Sequence, residues 1–271
     1  MKVQDFEVFK AMLYQKSGLV ITPDKSYLLE SRLAPVIKDF GIPDMEQLTQ
    51  KLRLSPDPKL VTAVVEAMTT NETMFFRDQK PFDKFRDFVM PNIIKAKGPG
   101  CNVRIWSAAC SSGQEPYTLG ITIKENQHKW PGVTFDILAT DLSTDILAKA
   151  KEGRYSQFEV QRGMPITLLI KYMVQTGEIW TIKDDIKNMV KFQPFNLLDP
   201  MEAMGTFDII YCRNVLIYFD QQTKAKILEK MSKRLAKYGY LFLGGAETVL
   251  GITQAFKPQE GERGLYVPTG I

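Results

Sequence analysis

"RIWSAACSSGQEPYTLG", residues 104–120, passes from an apolar run through a loop of small residues into a helical pattern. Val103, Ile105 and Trp106 are strand-like, and between Gln114 and Lys124 apolar residues fall at Tyr117, Leu119, Ile121 and Ile123. Strand, loop and helix in that order open a nucleotide-type α/β unit. A dinucleotide fold would place G-x-G-x-x-G here, so that the backbone could press against a pyrophosphate. Gly113 is the only glycine between strand and helix and cannot supply that surface. Ala108, Ala109, Ser111 and Ser112 still keep the loop thin enough to approach a ligand lacking phosphate. Glu115 at the helix start would repel phosphate and suit an ammonium or sulfonium group. The same residues also fit a plain tight turn in which Glu115 favours the helix N-terminus.

The rest of the chain sets the bounds. Its 271 residues suffice for a full core, and 44% hydrophobic with 24% charged residues is an ordinary globular composition. A net charge of +4, with both signs mixed along the chain, argues against nucleic acid as the main partner. The N-terminal "MKVQDFEVFK" carries charges where a signal peptide has its apolar core, so a cytoplasmic location is expected. Cys101, Cys110 and Cys212 have neither the number nor the spacing of a disulfide framework or zinc site. The single histidine, His128 in "KENQHKW", reads as a solvated helix-end residue, so neither a metal site nor a catalytic triad is expected.

Residues 1–70 read as a small all-helical domain. Phe6, Phe9 and Leu13 recur at helical spacing until Gly18. Thr22-Pro23 then opens a second helix, whose Leu29, Leu33, Val36 and Ile37 share a face and whose Pro35 predicts a kink or break. Asp44 with Gln47 resembles a capping box, and 57–68 gives another short helix. Residues 71–100 read as linker and seam. From 101 to 271 strands alternate with helices: strands at 103–108, 134–140, 189–195, 207–212, 240–244 and 264–267, with helices notably at 144–151 and 222–237. This predicts a doubly wound, mostly parallel α/β sheet that binds its ligand beyond the strand C-termini. Residues 171–191, containing "VQTGEIWTIKDDI", read as a small inserted β-subdomain. No internal repeat or low-complexity segment interrupts the pattern.

Chemistry should then collect just after each strand. Asp141 ends the second strand, where a carboxylate can accept both ribose hydroxyls of an adenosine or, alternatively, cap the next helix. Asn196 follows the third strand; Arg213, Asn214 and, a turn later, Tyr218 follow the fourth. An arginine directly after so apolar a strand needs a partner for its charge. "TTNETMFFRD", residues 69–78, is too polar for a plain linker and places Asn71, Thr73 and Arg77 at the domain seam.

"TTNETMFFRD", "IWSAACSSGQEPYTLG", "ATDLSTDILAKAKEGRY", "FNLLDP" and "FDIIYCRNVLIYFD", taken together and in this order, resemble the CheR family, the chemoreceptor glutamate methyltransferases. The resemblance spans nearly the whole chain. It implies a class I methyltransferase-like fold, S-adenosylmethionine as cofactor, and S-adenosylhomocysteine with glutamate methyl esters as products in chemotactic signal transduction. It further implies a cofactor pocket lined by Asn71, Thr73 and Arg77, with Ala108 in the same wall. Glu115 and Asp141 would hold the methionine and ribose parts, Asn196 and Leu197 flank the adenine, and Arg213 and Asn214 complete the pocket. Arg77 and Tyr218 are the expected catalytic contacts, Arg77 orienting the substrate carboxylate and Tyr218 lying near the sulfonium.

The chain departs from the family's pattern in places. "LGGAETV" keeps only Glu247 of a His-Ser-Glu type sequence, and "SRLAPVIKDFGI" keeps only Arg32 and Lys38 of a basic helix thought to meet the receptor. The expected partner is the acidic cytoplasmic helical bundle of a chemoreceptor, met by the helical domain through Lys25 and Arg32. The hairpin's short turn at Gly177 and the acidic Glu178, Asp184 and Asp185 argue against tethering by a receptor C-terminal peptide. A monomer is expected. The competing readings are a methyltransferase acting on another carboxylate and a catalytically silent module that binds the cofactor or its product.

Overall fold

A computed structural model describes residues 2–270. The helices α1 (Val3–Ser17), α2 (Ser26–Asp39), α3 (Met45–Leu54) and α4 (Pro58–Met68) come first. A continuous helical stretch follows, from α5 (Lys80–Lys84) through a π turn at Phe85–Val89 into α6 (Met90–Lys97). The α/β part then runs β1 (Asn102–Ala108), α7 (Gln114–Asn126), β2 (Thr134–Asp141), α8 (Thr144–Glu152), β3 (Arg154–Ser156), α9 (Gln157–Gln161) and α10 (Ile166–Tyr172). It continues with β4 (Met173–Thr176), β5 (Ile179–Ile182), α11 (Asp184–Lys187), β6 (Val190–Pro194), β7 (Phe207–Cys212), α12 (Gln221–Ser232), β8 (Leu235–Leu243), β9 (Phe256–Pro258) and β10 (Leu265–Pro268).

Seven strands form one sheet in the order β6-β2-β1-β7-β8-β10-β9. The five from β6 to β8 are parallel, and β10 and β9 close the edge antiparallel. The chain moves outward from β1 through β2 to β6, then returns to the other side of β1 for β7 and β8. That reversal puts a crevice at the C-terminal ends of β1 and β7, where a ligand is expected. Ile105, paired with Ile137 on one side and Ile209 on the other, and Trp106 are fully buried, as strands covered on both faces require.

The structure sharpens the sequence reading in several places. The helix expected over 222–237 stops at Ser232, and Leu235 is already paired with Phe207 in the sheet. A bulge between Phe207 and Ile209 lets the early part of β8 join. The inserted hairpin is joined by β3, giving a separate three-stranded sheet of order β3-β5-β4. Asp184–Lys187 is helical and Val190 already belongs to the main sheet, so these residues leave the insert.

The described chain forms two compact units, one of residues 2–70 with 218–223 and another of 71–217 with 224–270. In the helical unit Phe9, Leu13, Leu29, Leu33, Leu48 and Val64 are fully buried, α2 packing on α4 and α1 on α3. Asp44 accepts a hydrogen bond from Gln47 N (2.8 Å) and Asp57 one from Lys59 N (2.9 Å), so both caps act through their side chains. Pro35 does not break α2, which runs through it to Asp39. Lys25 closes a short 3₁₀ turn ahead of α2 and so does not share a helix with Arg32. The Arg32 guanidinium points inward along the chain, donating to the carbonyls of Met68 (2.9 Å) and Thr69 (3.0 Å) and to Thr70 Oγ1 (3.1 Å). It closes the C-terminus of α4, where carbonyls lack intrahelical donors. These bonds give Arg32 a structural role in the helical unit.

Candidate active site

The loop after β1 is held by its own residues. Ala109 (φ 57°), Ser111 (φ 51°) and Gly113 (φ 93°) are left-handed, and only Ala109 and Glu115 among residues 108–115 are not buried. Gly113 owes its place to packing: a Cβ there would come within 3.1 Å of Ala150 Cβ and 3.2 Å of Tyr155 Oη. Asp141, at the tip of β2, accepts Ser111 N on Oδ2 (2.8 Å) and Ser143 N on Oδ1 (3.1 Å). It thus links this loop to the start of α8, which Ser143 caps through Ile146 N (3.3 Å). The helix-capping reading of Asp141 is thus seen in its bond to Ser143 N.

Glu115 is positioned from two sides. Ser107 Oγ donates to its Oε1 at 2.8 Å, and Arg213 Nη1 donates to its Oε2 at 3.0 Å. Arg213 in turn donates through Nη2 to Asp78 Oδ2 (2.7 Å) and to the Arg77 carbonyl (3.0 Å). Its side chain is 1% exposed, and Nε has no hydrogen-bond partner among the described residues. A buried donor of that kind is the sort of atom a ligand would satisfy. The partner that the sequence required for Arg213 is therefore a pair, Glu115 and Asp78, and Asp78 was not singled out although it stands beside Arg77 in the same motif.

The segment carrying Asn71, Thr73 and Arg77 is a strap across this end of the sheet. Asn71 O accepts from Ser111 Oγ (2.8 Å), and Phe76 N donates to Thr118 Oγ1 (3.1 Å) on α7. Phe75 is buried edge-on against Tyr155, with ring centroids 5.0 Å apart. Glu72 pairs with Arg162 (2.7 Å), which holds its carboxyl below the usual carboxylate range. Phe76, Asp78 and Gln79 all have positive φ, at 50°, 66° and 42°. Non-glycine residues keep that conformation only where neighbours over-determine it, as these bonds do. Arg77 Nη1 donates to Glu72 O (3.1 Å), and Thr73 is half-buried in the same strap.

Across the crevice, Asn196 follows β6 and accepts Leu198 N on its own Oδ1 (3.0 Å), while Phe195 N donates to Asp141 O (2.9 Å). Lys230 of α12 donates to the carbonyls of Leu197 (2.9 Å), Leu198 (2.8 Å) and Asp199 (2.9 Å), and burial lowers its pKa. This lysine fixes the Asn196–Leu197 loop, and nothing in its local sequence marks it. Asn214 is left-handed (φ 60°), and its N–H donates to Glu247 Oε2 at 2.8 Å. Glu247 also accepts Val215 N (2.9 Å) and Gly244 N (2.7 Å), joining the ends of β7 and β8. Tyr218 ends a 3₁₀ turn, its carbonyl accepting Val20 N (3.0 Å), within the segment that groups with the helical unit.

From Arg213 and Asp78 a cleft of about 840 Å3 extends past Glu247 over the C-terminal end of β8. Ala108, Glu115, Asp141 and Asn196 are not in its lining. This open lobe of the crevice, beyond Arg213, is lined by charged groups.

Comparison with known proteins bears on the whole of this arrangement. Residues 4–69 match the model described as the CheR methyltransferase, all-alpha domain, and residues 71–265 match the CheR methyltransferase, SAM binding domain. The chain is 39% identical over 265 residues to chemotaxis protein methyltransferase Cher2 of Pseudomonas putida, covering 96% of each. It is 40% identical over 265 residues, again 96% of each, to chemotaxis protein methyltransferase 1 of Pseudomonas aeruginosa. The chemotaxis protein methyltransferase of Vibrio parahaemolyticus is 38% identical over 257 residues, 94% of this chain and 92% of that one. The orphaned Nε of Arg213 and the carboxylates of Glu115 and Asp141 suit a sulfonium cofactor bearing an amino acid and a ribose. With both its parts matched and its relatives aligned along nearly their full length, the chain belongs to the CheR methyltransferase family and is an S-adenosylmethionine-dependent methyltransferase of chemotaxis.

Proposed function

We propose that the protein methylates glutamate side chains of chemoreceptors, giving glutamate methyl esters and S-adenosylhomocysteine. The observation that carries this reading is the Arg213 network. It ties the strap bearing Arg77 to Glu115, so that a cation and the cofactor loop are held in register at the switch point.

Bound S-adenosylmethionine supplies an electrophilic methyl on a sulfonium. Asp141 would accept the ribose hydroxyls, Glu115 would face the ammonium end, and Asn196 and Leu197 would flank the adenine. Asn71, Thr73, Ala108, Arg213 and Asn214 complete the wall. A glutamate has a reference pKa near 4.3, so at neutral pH the substrate carboxylate is already the nucleophile and no base is required. With the cofactor bound, its oxygen would take the methyl group as the sulfonium sulfur keeps the C–S electron pair. What the protein contributes is alignment, a term of up to roughly 7–11 kcal/mol. Arg77 would orient the carboxylate by charge-assisted hydrogen bonds, and Tyr218 would supply a hydroxyl or cation–π contact to the sulfonium.

No described helix is long and apolar enough to cross a membrane. A cytoplasmic monomer that meets the receptor's acidic helical bundle directly, without a peptide tether, nucleic acid or metal, is the working picture. Incubation with labelled S-adenosylmethionine and receptor-containing membranes should leave label that base releases as methanol. The Arg77→Ala variant should transfer at least about a hundredfold more slowly, as loss of an orienting group costs in the transition state. Wild-type transfer by that variant would remove Arg77 from the reaction.

A further inference from the structure

The open lobe of the crevice has an unbalanced rim. Four cations, Lys80, Lys84, Arg213 and Arg263, line it against three carboxylates, Asp78, Glu247 and Glu262. Most of these are satisfied within the protein. Lys84 pairs with Glu262 (2.9 Å) and donates to Arg263 O (2.8 Å), Arg213 pairs with Asp78 and Glu115, and Glu247 accepts three backbone N–H groups. The side chains of Lys80 and Arg263 are on exposed residues and have no hydrogen-bond or ion-pair partner among the described residues. They come from separate parts of the chain, Lys80 from the start of α5 and Arg263 from the turn between β9 and β10. Both positions are set by the backbone: Lys80 follows the left-handed Asp78 and Gln79, and Arg263 lies between Gly261 (φ 74°) and Gly264 (φ 77°).

Two uncompensated cations on the wall of a cleft that begins at Arg213 favour anionic groups there. The cleft is much larger than one glutamate side chain needs, since about 300–1,000 Å3 holds a whole small molecule. On a helical substrate, side chains three or four residues apart share a face. When one carboxylate is held by Arg77, next in the chain to the cleft-lining Asp78, its acidic neighbours one turn away fall toward the outer rim.

We infer that Lys80 and Arg263 form a specificity site that selects the glutamate to be methylated by the acidic side chains one helical turn from it. The inference rests on the reading that the substrate is a protein glutamate, and it locates part of the recognition in the α/β unit, where Arg32 has no share.

The test uses the full-length protein and a soluble receptor cytoplasmic fragment. The double variant Lys80→Glu with Arg263→Glu should raise KM for the fragment about tenfold and flatten its dependence on salt. Its calorimetric affinity for S-adenosylhomocysteine should stay at the wild-type value. Lys237→Glu, a charge reversal on one exposed residue near the other end of β8, should leave KM unchanged. A fragment with the flanking acidic residues changed to glutamine should raise KM for wild type and not further for the double variant. An unchanged KM for the double variant overturns this inference alone, as does a KM rise that persists additively on the neutralised fragment. Loss of S-adenosylhomocysteine affinity would assign the two residues to the cofactor and also overturn it. If wild type leaves no base-labile label on the receptor, the proposed function falls and this inference with it.

Discussion

The guanidinium of Arg213 joins parts of the chain that no local pattern connects. Its position after an apolar strand announced a buried charge in need of a partner; Asp78 and Glu115 lie 135 and 98 residues away. Asp141 was legible for a simpler reason: a carboxylate at a strand tip before a helix sits where a doubly wound sheet binds ligands. Replacing Asp141 by alanine should weaken S-adenosylhomocysteine binding at least about tenfold in calorimetry, since it would remove the proposed ribose acceptor and strand Ser111 N and Ser143 N. Unchanged affinity would exclude Asp141 from the cofactor site. Glu247 was noted only as the remnant of a motif, because its value lies in three backbone donors that fold around it. Glu247→Ala strands those donors beside the cleft and should cost about 2–4 kcal/mol in denaturant unfolding, with Glu247→Gln losing less. Equal stability of the alanine variant and wild type would show that water replaces the carboxylate.

At the scale of elements, the strap of residues 71–79 depends on a neighbour that sequence did not reveal. A Cβ on Gly163 (φ 93°) would lie 2.1 Å from Phe75 O, so the loop after α9 carries a glycine because the strap's backbone passes against it. Gly163→Ala is expected to destabilise the α/β unit by more than about 2 kcal/mol and to weaken cofactor binding as the strap shifts. A variant with native unfolding midpoint and native affinity would show that the strap moves without consequence. The misplaced end of α12 has a related cause. Leu228, Met231 and Leu235 continue a helical spacing, so periodicity alone carries the helix too far. Pairing of Leu235 with Phe207 decides otherwise, and Gly239 allows β8 to pass within 2.8 Å of Asp208 O, measured from where a Cβ would stand. Pro35 errs the other way. The carbonyl it leaves without a donor belongs to the exposed Ser31, where water can take the missing donor's place, and α2 continues.

Across the molecule, the three cysteines report how the core is built. Burial, with Asp141 and Glu115 nearby, pushes the Cys110 thiol well up, and burial with Glu247 and Glu115 nearby does the same to Cys212. Cys101 is only half-buried. At pH 8 a thiol reagent should therefore titrate one group rapidly in the native protein and three after denaturation. Since the two folded values lie above the unfolded one of about 8.5, their stabilising share is complete below that pH. It is lost as the pH rises past it toward the folded values. Rapid native reaction of all three would mean that the sheet opens at this end. The order of helical and α/β parts, the absence of a pyrophosphate loop and the strand tips were determined by the sequence through periodicity, turn chemistry and residue types within a few positions of one another. The cofactor class followed from the motifs that carry the family resemblance. Tertiary structure alone decided that Arg32 closes α4, that Lys230 fixes the Asn196–Leu197 loop, that Glu247 joins β7 to β8, and that Lys80 and Arg263 line one cleft. The first three are polar contacts between distant segments, and their free energy exists only once the backbone has brought the groups within hydrogen-bonding reach.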